Sequence, residues 1–333
     1  MSEDLERFRV LLCGLGDFVR DAVVGQRGTV AEMAEVAHES VADTIYAIDK
    51  LSEEAISQWF LANWPASEPV EVVMEGIDDA ESMCFPFGVD VLDTRWKCIL
   101  DPIDGTRGLM YDKRSAWSLA GLAPQLGVTT RLSDLCVACM TELPTTKQWR
   151  ADQVSAVRGR GLVSEAVNVL DGTRAPLVLK PSGAKQFEHG FSSLAKYFPE
   201  GRTLTAQIEE LMWDKIIGAG KHDSPTIFDD QYICTGGQFY ELLAGHDRMV
   251  GDIRPLVFRC LDLESSLVCH PYDAAAWLLL DEGGVIYESP LGGFPDAPLD
   301  TTSAVMWVAF ANRDLAEIAR PVLHETLAKL LSS

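Results

Sequence analysis

The sequence predicts a mixed α and β fold, an α/β (α+β) chain, on three observations. Apolar residues near the N terminus recur at helical spacing. From Val70 to Leu170, short apolar runs alternate with turn residues, as in a largely antiparallel sheet. From about Pro176 onward, strand-like and helix-like segments follow one another.

Leu5, Phe8, Leu12, Leu15, Val19 and Val23 lie three or four residues apart and so share one helix face. A second helix is expected from about Leu51, with Ile56, Phe60 and Trp64 turned inward and Pro65 as its stop. These two helices would cover the sheet built between Val70 and Leu170. Beyond it, Pro176-Leu177-Val178-Leu179 reads as a strand, and Leu204 to Ile217 and Gly237 to Leu243 read as helices. Asp273 to Leu280 reads as a further helix, followed by a strand over Val285 to Tyr287. Val305 to Phe310 is the expected last strand, and Leu315 to Leu331 the closing helix. The irregular stretch from Gly218 to Asp230 reads as a mobile loop.

A chain of 333 residues can bury a large core, and 47% hydrophobic with 23% charged residues is ordinary for a globular protein. No run approaches the roughly 20 apolar residues that span a bilayer. The start, Met1-Ser2-Glu3-Asp4, is acidic where a secretory signal is basic, so a cytoplasmic location is expected. A formal charge of −22 argues against a nucleic-acid polymer or an anionic membrane as partner, because both need clustered Lys and Arg. Among eight cysteines only Cys136-Val137-Ala138-Cys139 has a suggestive spacing. With no second pair at zinc-ribbon distance, it reads as two core thiols. His270, near Asp273, reads as structural.

The chemistry concentrates in Asp101-Pro102-Ile103-Asp104-Gly105-Thr106, entered from the apolar segment Trp96-Lys97-Cys98-Ile99-Leu100. A strand here delivers two carboxylates three residues apart, followed at once by a glycine and a hydroxyl residue. Carboxylates suit hard divalent cations. Free amides at a glycine-opened turn suit phosphate. Pro102 restricts its own backbone and that of Asp101, which pre-sets the acid pair.

This run resembles the Asp-Pro-Ile/Leu-Asp-Gly-Thr signature of the inositol monophosphatase family of Mg²⁺-dependent, lithium-sensitive phosphatases. Further segments match that family in order. Val72-Val73-Met74-Glu75 is similar to its strand-ending Gly-Glu-Glu, with Gly76 in place of the second glutamate. Ile48-Asp49-Lys50 resembles its Thr-Asp segment. Tyr272-Asp273-Ala274-Ala275-Ala276, then Asp281-Glu282-Gly283-Gly284-Val285, resemble its Trp-Asp-x-Ala-Ala-Gly helix and the turn that follows. Ala156 to Gly161 resembles a family hairpin. By contrast, Asp171-Gly172-Thr173-Arg174 repeats Asp104 to Arg107 without the preceding Asp-Pro, and reads as a turn with no chemistry.

The resemblance implies a layered α/β/α/β/α sandwich of the inositol monophosphatase or sugar phosphatase type. Residues 1–176 would form an N-terminal α+β domain carrying most metal ligands, and residues 177–333 an α/β domain carrying Asp273. It implies two or three Mg²⁺ ions held by Glu75, Asp101, the Ile103 carbonyl, Asp104 and Asp273, with Li⁺ as an inhibitor. Asp49, Thr106 and Glu75 would activate water, and the N–H groups of Gly105 and Thr106 would hold the phosphoryl group. Ser266 stands where an inositol-specific member carries a glutamate, seven residues before the helix aspartate.

The expected activity is therefore hydrolysis of a small phosphorylated metabolite by a homodimeric phosphatase. A 3′(2′),5′-bisphosphate nucleotidase, suggested by Thr106-Arg107-Gly108-Leu109, is the alternative, together with sugar or histidinol phosphate phosphatases. A non-catalytic regulator that binds a phosphorylated metabolite is the alternative of another class.

Overall fold

Along the strand Trp96–Asp104, Cys98 and Leu100 enter one buried apolar cluster and Ile99 enters another. Side chains of a strand alternate between faces, so this strand belongs to a sheet covered on both sides. The structure is a computed structural model that describes residues 2–25, 36–39, 44–77, 83–218, 226–263 and 267–331, with the side chains of 2–4 and 36–53 outside that description.

The described strands are β1 (Val36–Glu39), β2 (Thr44–Tyr46), β3 (Val70–Met74), β4 (Met83–Phe85), β5 (Trp96–Asp104), β6 (Ala116–Pro124), β7 (Val137–Leu143), β8 (Arg150–Val157), β9 (Leu162–Asn168), β10 (Arg174–Pro176), β11 (Gly190–Leu194), β12 (Ile227–Phe228), β13 (Asp247–Asp252), β14 (Ile286–Glu288) and β15 (Trp307–Phe310). The α-helices are α1 (Ser2–Gly25), α2 (Ala47–Asn63), α3 (Thr106–Met110), α4 (Arg202–Trp213), α5 (Thr235–Leu243), α6 (Arg254–Cys260), α7 (Leu278–Gly283) and α8 (Arg313–Leu331).

β1 and β2 form a small hairpin sheet of their own. The large sheet has eight strands in the order β10-β9-β8-β7-β6-β5-β3-β4, antiparallel throughout except for the parallel β3/β5 pair. The smaller sheet has five, ordered β12-β11-β13-β15-β14. Phe8, Leu12, Leu15, Val19 and Val23 of α1, with Ile56 and Phe60 of α2, cover one face of the large sheet. On its other face, Ile99, Trp117, Leu119 and Met140 pack with Phe239 and Leu242 of α5 and Leu278 to Leu280 of α7. Behind these lie Met249, Val250, Val308 and Phe310 of the smaller sheet, then Ile208 of α4 and Leu315 and Leu323 of α8. The layers are α/β/α/β/α.

Several elements differ from the sequence expectation. The strand expected at 176–179 is instead Arg174–Pro176, paired with Glu165 to Val167 at the sheet edge, where a proline's missing N–H is tolerated. The helix expected from Asp273 is a run of tight turns over 271–277, with α7 starting at Leu278. Its bonds Ala275 N–H to Tyr272 and Trp277 N–H to Ala274 span three residues, tighter than an α-helix. Within the stretch from Gly218 to Asp230, Ile227–Phe228 forms β12, and residues 219–225 lie outside the described ones.

Two sequence features meet unexpectedly. Glu282 of α7 accepts the N–H groups of Gly159 and Gly161 at 2.5 and 2.6 Å, so the Glu-Gly-Gly segment clamps the β8–β9 hairpin. The two cysteines of the CxxC do not pair. Cys136 Sγ donates to the Leu122 carbonyl, whereas Cys139 Sγ lies 3.8 Å from Cys13 Sγ of α1. Burial pushes the Cys136 thiol up to about 11, as suits a core thiol.

α1 approaches β7 closely because Gly16 faces Thr141: a Cβ at residue 16 would stand 2.1 Å from Thr141 Oγ1. Gly16→Ala should therefore destabilise the protein by about 1–3 kcal/mol, although alanine is intrinsically the better helix former by about 1 kcal/mol. Urea unfolding checks this, and equal or greater stability in Gly16→Ala would refute the close contact.

Candidate metal and phosphate site

Residues three apart on a regular strand point to opposite faces. In β5 the ladder with β6 slips between Asp101, opposite Leu119, and Asp104, opposite Trp117. Three residue steps on β5 thus match two on β6, a bulge that can return Asp104 to the side of Asp101. Both are buried, at 1% and 5% exposure. Asp273, in the turns before α7, joins them, and ligand oxygens of the three acids lie within 4.8 Å of one another.

Each acid is held by backbone N–H groups, and Asp104 by those of both Thr235 and Gly236. Ile103 donates to Asp101 at 3.0 Å, Gly236 to Asp104 at 2.5 Å, and His270 to Asp273 at 2.6 Å. His270 is itself fixed by Nδ1, 2.9 Å from the Ser303 carbonyl, and stacks on Tyr272. Glu75 follows the last residue of β3, where Met74 pairs with Leu100, and its N–H donates to the Leu100 carbonyl at 3.3 Å. Its charge raises the pKa of the neighbouring Asp101. Gly76 turns the chain with φ 87°, a conformation that a glutamate there would adopt only with strain.

Gly105 takes φ 98° and opens α3, and a Cβ on it would lie 3.0 Å from that of Cys234. Thr106, the first residue of α3, donates its hydroxyl to the Ile103 carbonyl at 2.9 Å. The structure therefore brings Glu75, Asp101, Ile103, Asp104, Gly105, Thr106 and Asp273 into one region. Asp49 falls in the first turn of α2, with its side chain outside the described residues, and Ser266 lies outside them altogether.

Sequence reasoning missed the start of α5. Cys234, its N-cap, accepts the Gly237 N–H on Sγ at 3.3 Å, and Thr235 and Gly236 turn their N–H groups toward Asp104. The signal available was Cys234-Thr235-Gly236-Gly237, a hydroxyl and two glycines before an apolar helical run. The expected helix began only at Gly237.

The electrostatics suit a cation. Burial, then the charges of Glu75, Asp104 and Asp273, hold the Asp101 carboxyl well above the usual range. Burial and Asp273 do the same to Asp104, and burial pushes Asp273 up to about 6, against the opposing pull of the His270 N–H. All-oxygen donors, buried and mutually repelling, fit Mg²⁺ or a similar hard ion, which would relieve both the desolvation and the repulsion.

No protein-family model matches the chain, and no curated protein matches it in sequence. Solved structures do. The SuhB protein of Bartonella henselae aligns with TM-score 0.63 at 15% identity, over 96% of this chain and 97% of its own. The fold is that of the inositol monophosphatases. Leishmania major fructose-1,6-bisphosphatase aligns with TM-score 0.65 at 12% identity, covering 95% and 92%. Staphylococcus aureus inositol monophosphatase II aligns with TM-score 0.59 at 16% identity, covering 98% of each chain. The layered sandwich expected from the sequence is thus the observed architecture. No helix among the described residues is long and apolar enough to cross a membrane.

Raised carboxyl pKa values have a defined consequence for the metal-free protein. Well below pH 4 these groups are neutral in folded and unfolded chains alike and cost nothing. As pH rises from there toward 6 and above, the unfolded chain ionises first, so stability falls. In chelator, Asp101→Asn should raise the melting temperature more at pH 8 than at pH 4.5, because asparagine keeps an acceptor for the Ile103 N–H without the charge. Scanning calorimetry at the two pH values tests this; an equal shift at both would contradict it.

Proposed function

We propose that this chain is a Mg²⁺-dependent phosphatase that hydrolyses a small phosphomonoester by direct attack of water. The observation that carries this reading is the convergence of the buried Asp101 and Asp104 with the part-buried Asp273, within 4.8 Å, on a fold shared with named phosphatases. Two or three Mg²⁺ ions held there would supply acidified water and positive charge opposite the phosphoryl oxygens. Glu75, Asp101, the Ile103 carbonyl, Asp104 and Asp273 are the proposed ligands. Asp101, with Glu75 acting on it as well as Asp104 and Asp273, is the carboxylate to be shared between ion positions.

The remaining steps fall to the chain itself. The Thr106 hydroxyl gives its proton to the Ile103 carbonyl, so Oγ1 can accept a hydrogen bond from the attacking water and orient it. Asp49 is the proposed alternative acceptor for that Thr106 proton, and Glu75 the carboxylate on the water's side. The first N–H groups of a helix have no partner within it. Those of Gly105 and Thr106 would hold the phosphoryl oxygens, more strongly as charge builds in the transition state. The left-handed turn at Gly105 lets the backbone approach the ester closely.

The Staphylococcus neighbour is an inositol monophosphatase and the Leishmania neighbour a fructose-1,6-bisphosphatase. Inositol and sugar phosphates are therefore the first substrates to offer, followed by 3′,5′-nucleotides and histidinol phosphate. Ser266 remains the proposed pocket position where an inositol-specific protein would place a carboxylate. Inhibition by Li⁺, a homodimer and a cytoplasmic site of action belong to the same proposal.

Turnover of at least one phosphomonoester in such a panel should require Mg²⁺ and vanish in chelator, and Asp101→Asn should lower it by at least about 10³-fold. Full activity without metal, or in Asp101→Asn, would overturn the reading. Metal binding with no turnover of any ester would favour the non-catalytic regulator. Thr106→Ala should depress kcat far more than it raises KM, because its contact matters mainly in the transition state. A kcat within about twofold of wild type would remove Thr106 from the chemistry.

A further inference from the structure

We propose that Tyr232 is a positioning residue for the acid cluster: its ring braces the first turn of α5 so that the Gly236 N–H stays on Asp104. The inference rests on the metal reading above and concerns a residue that neither the motifs nor the neighbours single out.

The contact between ring and helix is direct. A Cβ on Gly237 would fall 2.2 and 2.3 Å from Cδ1 and Cε1 of Tyr232, so the ring occupies the space of a side chain against bare backbone. Gly236 is confined from the other direction, where a Cβ would lie 2.8 Å from atoms of Trp117 and Leu119. The first turn of α5 is thus wedged between the Tyr232 ring and β6, with no room for either glycine to shift. Gly236 delivers the 2.5 Å hydrogen bond to Asp104.

The ring is fixed in turn. Tyr232 Oη donates to the Ser115 carbonyl at 2.8 Å and lies 2.8 Å from Ser115 Oγ, which donates to the buried Glu142 at 2.7 Å. Gln148 Nε2 and the Asp152 N–H complete the Glu142 carboxylate at 2.8 and 3.1 Å. The Arg114 guanidinium, paired with Asp230, lies over the ring 5.0 Å from its centroid. Ser115 precedes Ala116, whose Cα would lie 3.6 Å from a Cβ on Gly105. One strut therefore ties the phosphate-binding turn at Gly105 to the helix end that holds Asp104, and its far end is anchored in the large sheet at β7 and β8.

Loss of the brace lets the first turn of α5 relax, and the N–H groups of Thr235 and Gly236 no longer hold Asp104 in place. Removing an outer partner of a ligand commonly weakens metal binding by about 10–100-fold. The test is the midpoint of direct Mg²⁺ binding at constant temperature, measured by isothermal titration calorimetry with Mg²⁺ alone. It should increase in the order wild type, Tyr232→Phe, Tyr232→Leu, Tyr232→Ala, reaching at least about tenfold in the last that folds. Leu12→Ala, in the distant cluster under α1, serves as control for lost stability and should leave the midpoint within about twofold. A wild-type Mg²⁺ response with an unchanged midpoint across the Tyr232 series overturns this inference alone. So does an equal displacement in Leu12→Ala. A wild type with no Mg²⁺ response overturns the metal reading and this inference together.

Discussion

Asp101 and Asp104 are buried beside a third carboxylate, Asp273, and much of the surrounding structure answers the cost of that crowding. Burial and like charge both oppose ionisation. The protein supplies backbone N–H groups to the acids, among them those of Ile103, Gly236 and His270. These donors orient the carboxylates. Full hydrogen bonding by the protein would neutralise the need for a cation. Asp252 shows that alternative, a buried acid matched by a forked Arg254.

Those three donors come from three different kinds of local structure: a strand bulge, a helix start and a turn. Their convergence depends on the two sheets keeping a fixed spacing, which α5 and α7 set by filling the middle layer. Displacement of the smaller sheet would move Asp273 relative to β5 while leaving Asp101 and Asp104 in place. The dense apolar contacts of that layer, with Phe239, Leu242 and Leu278 to Leu280 fully buried, are therefore part of the site's geometry as well as of stability.

What was legible in the sequence follows from what leaves a local trace. The face of α1 from Phe8 to Val23 and the inner residues of α2 follow helical periodicity, and the acid pair stands in a contiguous motif. β11 and β13 left little trace, because Ser192, Ser193, Asp247, Gly251 and Asp252 break any apolar run even though the strands are buried. Asp273 was placed on a helix because Ala274 to Leu280 are good helix formers; tertiary packing wound them into tighter turns. The Gly236 donor was invisible for a different reason: nothing in local sequence records which distant carboxylate a helix end will meet. Gly76 and Gly105 were legible as departures or motif members, while their positive φ values came only from the structure.

The bond between Gly236 and Asp104 joins residues 132 positions apart. A chain emerging from the ribosome can therefore complete every strand of the large sheet, through Pro176, before any donor for Asp104 has been made. Until then Asp104 lacks these donors and water or protons must satisfy it, although Asp101 can already accept the Ile103 N–H. The cluster is completed only when Asp273 and the first turn of α5 join β5, which makes its assembly a report on the completeness of the whole fold.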